Sequence, residues 1–245
     1  RLRHQEEHRV SLRLQEALLP RTPAALPGVE VAGRYAAASD GLEVGGDWYE
    51  VFCAAPGLVG VFVGDVVGHN IEAAAAMGQL RSGALALAAV ATEPDQLVGA
   101  LDQFAATHQI TDFATVVCAL LDPEDGSLSY SSAGHPPPVI LHPDGSLGWL
   151  DGAGSLPLGV DPSGPRRVAR AQLAPGSVLF AYTDGLIERS TEIIDAGLAR
   201  LAEVLARHAH RDLEAMCDLV IEEMLGAHVQ EDDIVVVAVR YTGTI

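Results

Sequence analysis

Aromatic residues are scarce in this chain, at 5%, and basic residues are heavily outnumbered. Lys and Arg together number 15 against 33 Asp and Glu, a formal net charge of −18 over 245 residues. No electrostatic attraction draws such a chain to a phosphate backbone or an anionic bilayer, which argues against nucleic acid and membrane as partners of this fragment. Only three cysteines occur, Cys53, Cys118 and Cys217, far apart and without a CxxC pair. A disulfide framework and a thiolate metal site are therefore not expected, and a reduced, cytoplasmic chain is. The longest apolar stretch, 71–91, is interrupted by Glu72, Gln79, Arg81 and Ser82, so it reads as a helix of a globular domain and not a membrane span. Neither GxGxxG nor GxxxxGK[ST] is present, which disfavours a nucleotide-binding enzyme. No signal-peptide pattern precedes the domain, and the first residue is Arg1, as expected of a piece of a longer protein.

What is plentiful is small and aliphatic. Hydrophobic residues make up 49% of the chain, enough for one sizeable core. Val10, Leu14, Ala17 and Leu18 recur at helical spacing within 1–19, and Pro20 ends that pattern. This segment reads either as a surface helix of the domain or as the tail of a helical linker from an upstream module. Residues 1–20 are accordingly set apart as a linker or regulatory helix, and 21–245 as one domain. Strand-like runs follow at 29–37, 48–53, 58–64, 114–121, 127–133, 137–141, 177–184 and 233–241, with another around Trp149. Helical runs fall at 71–91, 94–107, 195–207 and 212–226. The turn sequences DPEDG and HPDGS make hairpins of their flanking strands. Hairpins of strands with helices in two clusters predict an α+β fold of antiparallel sheets packed face to face, with helices outside.

Four acidic positions share one context. Asp47 precedes a strand in VGGDWYE, and Asp65 ends one in FVGDVVGHN. Asp184 ends another in YTDGLIE, and Asp232 with Asp233 opens the last. Glycine adjoins three of these positions and allows close backbone approach. One such Asp is ordinarily a turn or cap residue. Several at strand ends can converge on a sheet rim, and an all-oxygen set without His or Cys suits Mg²⁺, Mn²⁺ or Ca²⁺.

Taken together, VGGDWYE, GDVVGHNIEAAAAM, FATVVCALLD, YSSAGHPPPVI, LPLG, YTDGLIE and EDDIVVV resemble the metal-dependent serine/threonine protein phosphatases (the PPM family), and within it the bacterial SpoIIE-like branch. The resemblance runs over about 14–241. It implies a four-layer α-β-β-α sandwich with two antiparallel sheets and a centre of two Mn²⁺ or Mg²⁺ ions. Asp47, Asp65, Asp184 and Asp232 then match the ligand carboxylates, with the Val66 carbonyl as a further ligand. Asp65 matches the carboxylate that bridges the metals, and Asp65 and Asp47 are the candidate catalytic residues. Glu188 and Asp233 stand where an additional ion could bind. The implied activity is hydrolysis of a phosphoserine or phosphothreonine on an anti-sigma-factor antagonist. The implied regulation is by an upstream sensory module, through a helix that could dimerise along Val10, Leu14 and Leu18. Some positions depart from the family pattern. Asn70 replaces a glycine, Glu50 an aspartate and Val235 a threonine. Val67 occupies the place of a histidine, and residues 35–46 lack the usual arginine, Arg34 being the nearest. His135 is expected to order a loop. Two other classes stay open: a phosphatase-fold binding module without turnover, and a hydrolase of small phosphate esters.

Overall fold

The computed structural model describes residues 26–38, 45–55, 57–68 and 70–243. The expected N-terminal helix with Val10, Leu14 and Leu18, and the boundary near residue 20, lie outside these. The chain runs through β1 (Val29–Ala36), β2 (Trp48–Ala55) and β3 (Leu58–Val66), then helices α1 (Ile71–Ala88) and α2 (Pro94–Thr107). A second block follows, of β4 (Ala114–Leu121), β5 (Ser127–Ala133), β6 (Val139–Leu141), β7 (Leu147–Trp149), β8 (Gly154–Ser155), β9 (Ala169–Gln172) and β10 (Val178–Tyr182). Helices α3 (Ile194–His208) and α4 (Leu213–Leu225) precede the closing strand β11 (Ile234–Tyr241).

Two sheets result. One has the order β1-β11-β10-β6-β7, and its pairings are antiparallel. The other has the order β2-β3-β4-β5-β8, with β9 on β5. It is mixed, because β8 pairs with β5 in parallel over Ser132 and Ala133. The expectation of two antiparallel sheets is corrected at that edge only. β8 and β9 were not legible as strands, being two and four residues long and held by the edge of β5.

The sequence dictates the layering through period-2 alternation. In β11, Val235, Val237 and Val239 face the other sheet, while Ile234, Val236 and Ala238 face α3 and α4. In β4, Val117, Ala119 and Leu121 face inward, and Val116, Cys118 and Leu120 meet α1 and α2. Three apolar layers therefore hold four structural layers together: helices, sheet, sheet, helices. Gly83 of α1 lets the Phe104 ring of α2 lie against the helix; a Cβ there would come within 2.7 Å of Phe104 Cε1. Asn70 caps α1 by accepting from the Ala73 amide at 2.8 Å. Its backbone is extended, at φ −127°, so it acts as a cap and needs no left-handed conformation. Among the described residues no helix is long and apolar enough to cross a membrane.

Candidate metal centre

The two sheets bring their acidic ends together at one rim. Asp47 immediately precedes β2, and Asp65 is the penultimate residue of β3, one strand pairing deeper than its sequence context suggested. Trp48 pairs with Gly64 across this hairpin, which sets the two carboxylates side by side. Their carboxylates lie within hydrogen-bonding reach of each other. Burial, and then the charge of Asp65, push Asp47 well above the usual carboxylate range. Burial lifts Asp65 to about 6, against the lowering effect of its bond from Asp47.

The opposite sheet supplies Asp184 and Asp232. Asp184 does not end β10 but opens a single 3-10 turn, Asp184–Leu186, two residues beyond it. Burial, and then the charges of Asp65, Glu188 and Asp232, raise it to about 7. Asp232 is exposed and accepts from the Asp233 amide at 2.8 Å. Asp232 also repels Asp65 and Asp184. Glu188 stands one turn beyond Asp184, its amide donating to the Asp184 carbonyl at 2.8 Å. With Asp184, Asp232, Glu231 and Arg189 it lines a cavity of about 410 Å³.

Asp233 is different. It is buried, accepts from Tyr35 Oη at 2.7 Å and from the Ala38 amide at 2.8 Å, and fills the space beside Gly45. Its oxygens tie β11 to the end of β1. The glycines also have a different task from close metal approach. A Cβ at Gly46 would overlap the Val66 carbonyl oxygen, and one at Gly185 the Asp233 carbonyl oxygen. A Cβ at Gly64 would come within 2.6 Å of Trp48 Nε1. Each glycine lets two carboxylate-bearing segments touch. The Val66 amide donates to the Gly46 carbonyl at 3.2 Å, so the Val66 carbonyl sits at that same crossing.

Thr183 was not singled out in the sequence, and it joins the halves of the site. Fully buried, it donates from Oγ1 to Asp47 Oδ2 at 2.6 Å and accepts from the Val235 amide at 2.9 Å. The available signal was a hydroxyl directly before Asp184 at the end of an apolar strand. His135 likewise bridges the sheets. Its Nε2 donates to the Tyr182 carbonyl at 3.0 Å, and its Nδ1 accepts from Thr115 Oγ1 at 2.8 Å. Thr115 is the register partner of Asp65. His135 therefore orders the loop after β5, as expected.

Arg34 is turned away from the rim. It pairs with Glu214 and Asp218 of α4, with Nε 2.6 Å from Asp218. Glu50 is buried against Arg81 of α1 at 2.6 Å, and Val67 is exposed. Among the described residues no basic side chain is ion-paired to Asp47, Asp65, Asp184 or Asp232. Nor do three acidic, histidine or cysteine side chains there stand close enough to hold an ion as they are. Asp47 and Asp65 touch, and the others ring them. The donor set is nonetheless all oxygen, partly buried and short of positive charge, which suits a hard divalent cation.

Comparison with known proteins agrees with this architecture. Residues 55–242 match the family model for stage II sporulation protein E (SpoIIE), a span that begins after Asp47. Protein IcfG of Synechocystis is 28% identical over 89% of this chain, which spans 39% of that protein. The RsbU and RsbW domains of Rv1364c from Mycobacterium tuberculosis are 31% identical, with a TM-score of 0.83 over 90% of this chain and 62% of that one. The SiaA-PP2C domain of Pseudomonas aeruginosa is 23% identical, with a TM-score of 0.77 over 97% of this chain and 96% of that one. The chain belongs to the SpoIIE family, and it shares its fold with the SiaA-PP2C domain.

Proposed function

We propose that the chain is a metal-dependent protein serine/threonine phosphatase acting on a phosphoserine or phosphothreonine of a bacterial regulatory protein of the anti-sigma-factor antagonist type. One observation carries this reading. Carboxylates from both sheets meet at one rim, two of them in contact, and among the described residues no basic side chain is ion-paired to them. Asp47, Asp65, Asp184, Asp232 and the Val66 carbonyl would hold two Mn²⁺ or Mg²⁺ ions, and Glu188 stands at the cavity where a looser ion would sit. Bound there, the ions would lower the pKa of a shared water and screen charge on the phosphoryl oxygens. The chain's own residues do the positioning. Thr183 fixes the Asp47 carboxylate across the sheets, beside Asp65. No nucleophilic side chain is needed: Cys118 and Cys217 are buried, away from this rim. An RsbU and an RsbW domain together in the Mycobacterium chain support a regulatory protein as partner. Regulation from an upstream module through residues 1–20, and a dimer along Val10, Leu14 and Leu18, complete the proposal.

Hydrolysis of an aryl phosphate with and without Mn²⁺, beside a thermal melt in the same buffers, tests it. Mn²⁺-dependent turnover and an Mn²⁺-dependent rise in Tm are expected, both lost in Asp65→Asn. Without metal, Asp65→Asn should melt above the wild type, because it removes a desolvated charge among like charges. A rise in Tm without turnover would leave a binding module. Absence of both effects would overturn the metal centre.

A further inference from the structure

A second pocket opens on the same rim, two strands along from Asp65. It has a volume of about 470 Å³, and its walls include Ser132, His135, Ser155, Asp161, Arg166 and Arg167. The wall is built from the interior. Asp102 of α2 is fully buried, accepts from the Gly159 amide at 2.7 Å and pairs with Arg166. The Arg166 side chain is itself 5% exposed and also donates to Ser155 Oγ at 3.1 Å and to the Leu156 carbonyl. Its Nε is buried and has no hydrogen-bond partner. The loop that carries Arg167 is thus clamped to the domain.

Arg167 stands out against the rest of the chain. The sequence contains no lysine, so arginine is its only permanently charged basic side chain. Among the described residues every arginine except Arg167 and Arg211 is ion-paired to a carboxylate. Arg211 lies in the turn between α3 and α4, in the outer layer. Arg167 is exposed at the pocket. Asp161 lines the same pocket and folds back over Gly164 of its own loop. Leu156 lines the same pocket and is exposed, an apolar margin suited to a protein and not to a small ester.

Resting on the phosphatase reading, we infer that this pocket receives an acidic side chain of the substrate protein, with Arg167 as the specificity-determining residue. The geometry gives the spacing. Asp65 pairs with Thr115 of β4, and Val116 bridges to Gly134 beyond β5. Two strand spacings place Gly134, on the near wall of the pocket, about 10 Å from Asp65. About three residues of extended peptide cover that distance.

Phosphoserine peptides with Glu, Ala or Lys three residues to either side of the phosphoserine test this, assayed with Mn²⁺ beside an aryl phosphate. Wild type should favour Glu over Ala by about fivefold in kcat/KM, the size of one exposed ion pair, and 0.5 M NaCl should abolish the preference. Arg167→Ala should bring the ratio to about one, and Arg167→Glu should turn the preference towards Lys. A merely structural role for Arg167 does not produce that reversal. Turnover of the aryl phosphate with no preference among the peptides, or a preference unchanged in both variants, overturns the inference alone. No turnover of any compound overturns the phosphatase reading, and this inference falls with it.

Discussion

Thr183 is small, uncharged and common in strands, yet it carries two bonds that the rim depends on. Its hydroxyl donates to Asp47 and accepts from the Val235 amide. Thr183→Val keeps the shape and removes both. The Val235 amide is then buried without a partner, at a cost of about 1–3 kcal/mol. Asp47 loses the donor that fixes its orientation. Chemical denaturation should show that loss of stability, and aryl phosphate turnover should fall, whereas Thr183→Ser should restore both. The aspartates were legible because each adjoins an apolar run that leaves a carboxylate stranded at the core's edge. Thr183 was not, because threonine in a strand needs no special account. Arg166 and Asp102 were not either, since nothing in a sequence ties residues 64 positions apart.

The crossing of β2 and β3 with their approach segments sets how closely the carboxylates meet. Gly46 lies against the Val66 carbonyl, on the edge of β3 where the Val66 amide donates to the Gly46 carbonyl. Gly46→Ala places a methyl group where that oxygen is, and the oxygen cannot yield without disturbing the bond from the Val66 amide to the Gly46 carbonyl beside it. A destabilisation of about 1–3 kcal/mol is expected, as for other overpacked sites. Metal-dependent Tm shifts should weaken with it. Gly57→Ala is a useful contrast, because a Cβ there meets nothing within 4 Å and the positive φ of 84° alone is strained. It should cost stability without touching the metal response. The long strands were readable for a related reason. IVVVAVRY and ATVVCALL are buried on both faces, so they stand out as unbroken apolar runs. β8 and β9 bury little, and only the neighbouring edge of β5 makes strands of them.

Across the whole molecule, His135 joins the two sheets, and it does so as a neutral ring. Burial, partly offset by its bond to the Tyr182 carbonyl, lowers its pKa from 6.5 to about 3. A base depressed on folding stabilises fully above its unfolded pKa. That contribution is lost as pH falls through the window from about 6.5 to about 3, by about 1.4 kcal/mol per pH unit. Wild type should therefore lose stability relative to His135→Gln as pH falls from 6.5 to 4, measured by denaturant unfolding. Equal slopes would show that the ring is not held neutral. The division of carboxylates between the sheets has a consequence of its own. Asp47 and Asp65 ride on one sheet, Asp184 and Asp232 on the other, and only side chains such as Val63, Val117, Val237 and Leu179 lie between. The rim is then the jaw of a caliper whose opening is the thickness of the inter-sheet layer. Metal–oxygen distances tolerate only about 0.2 Å of error. On the proposed reading, a methylene removed from that layer is felt as cation affinity at the rim, and the valines of the interior set the gauge of the jaw.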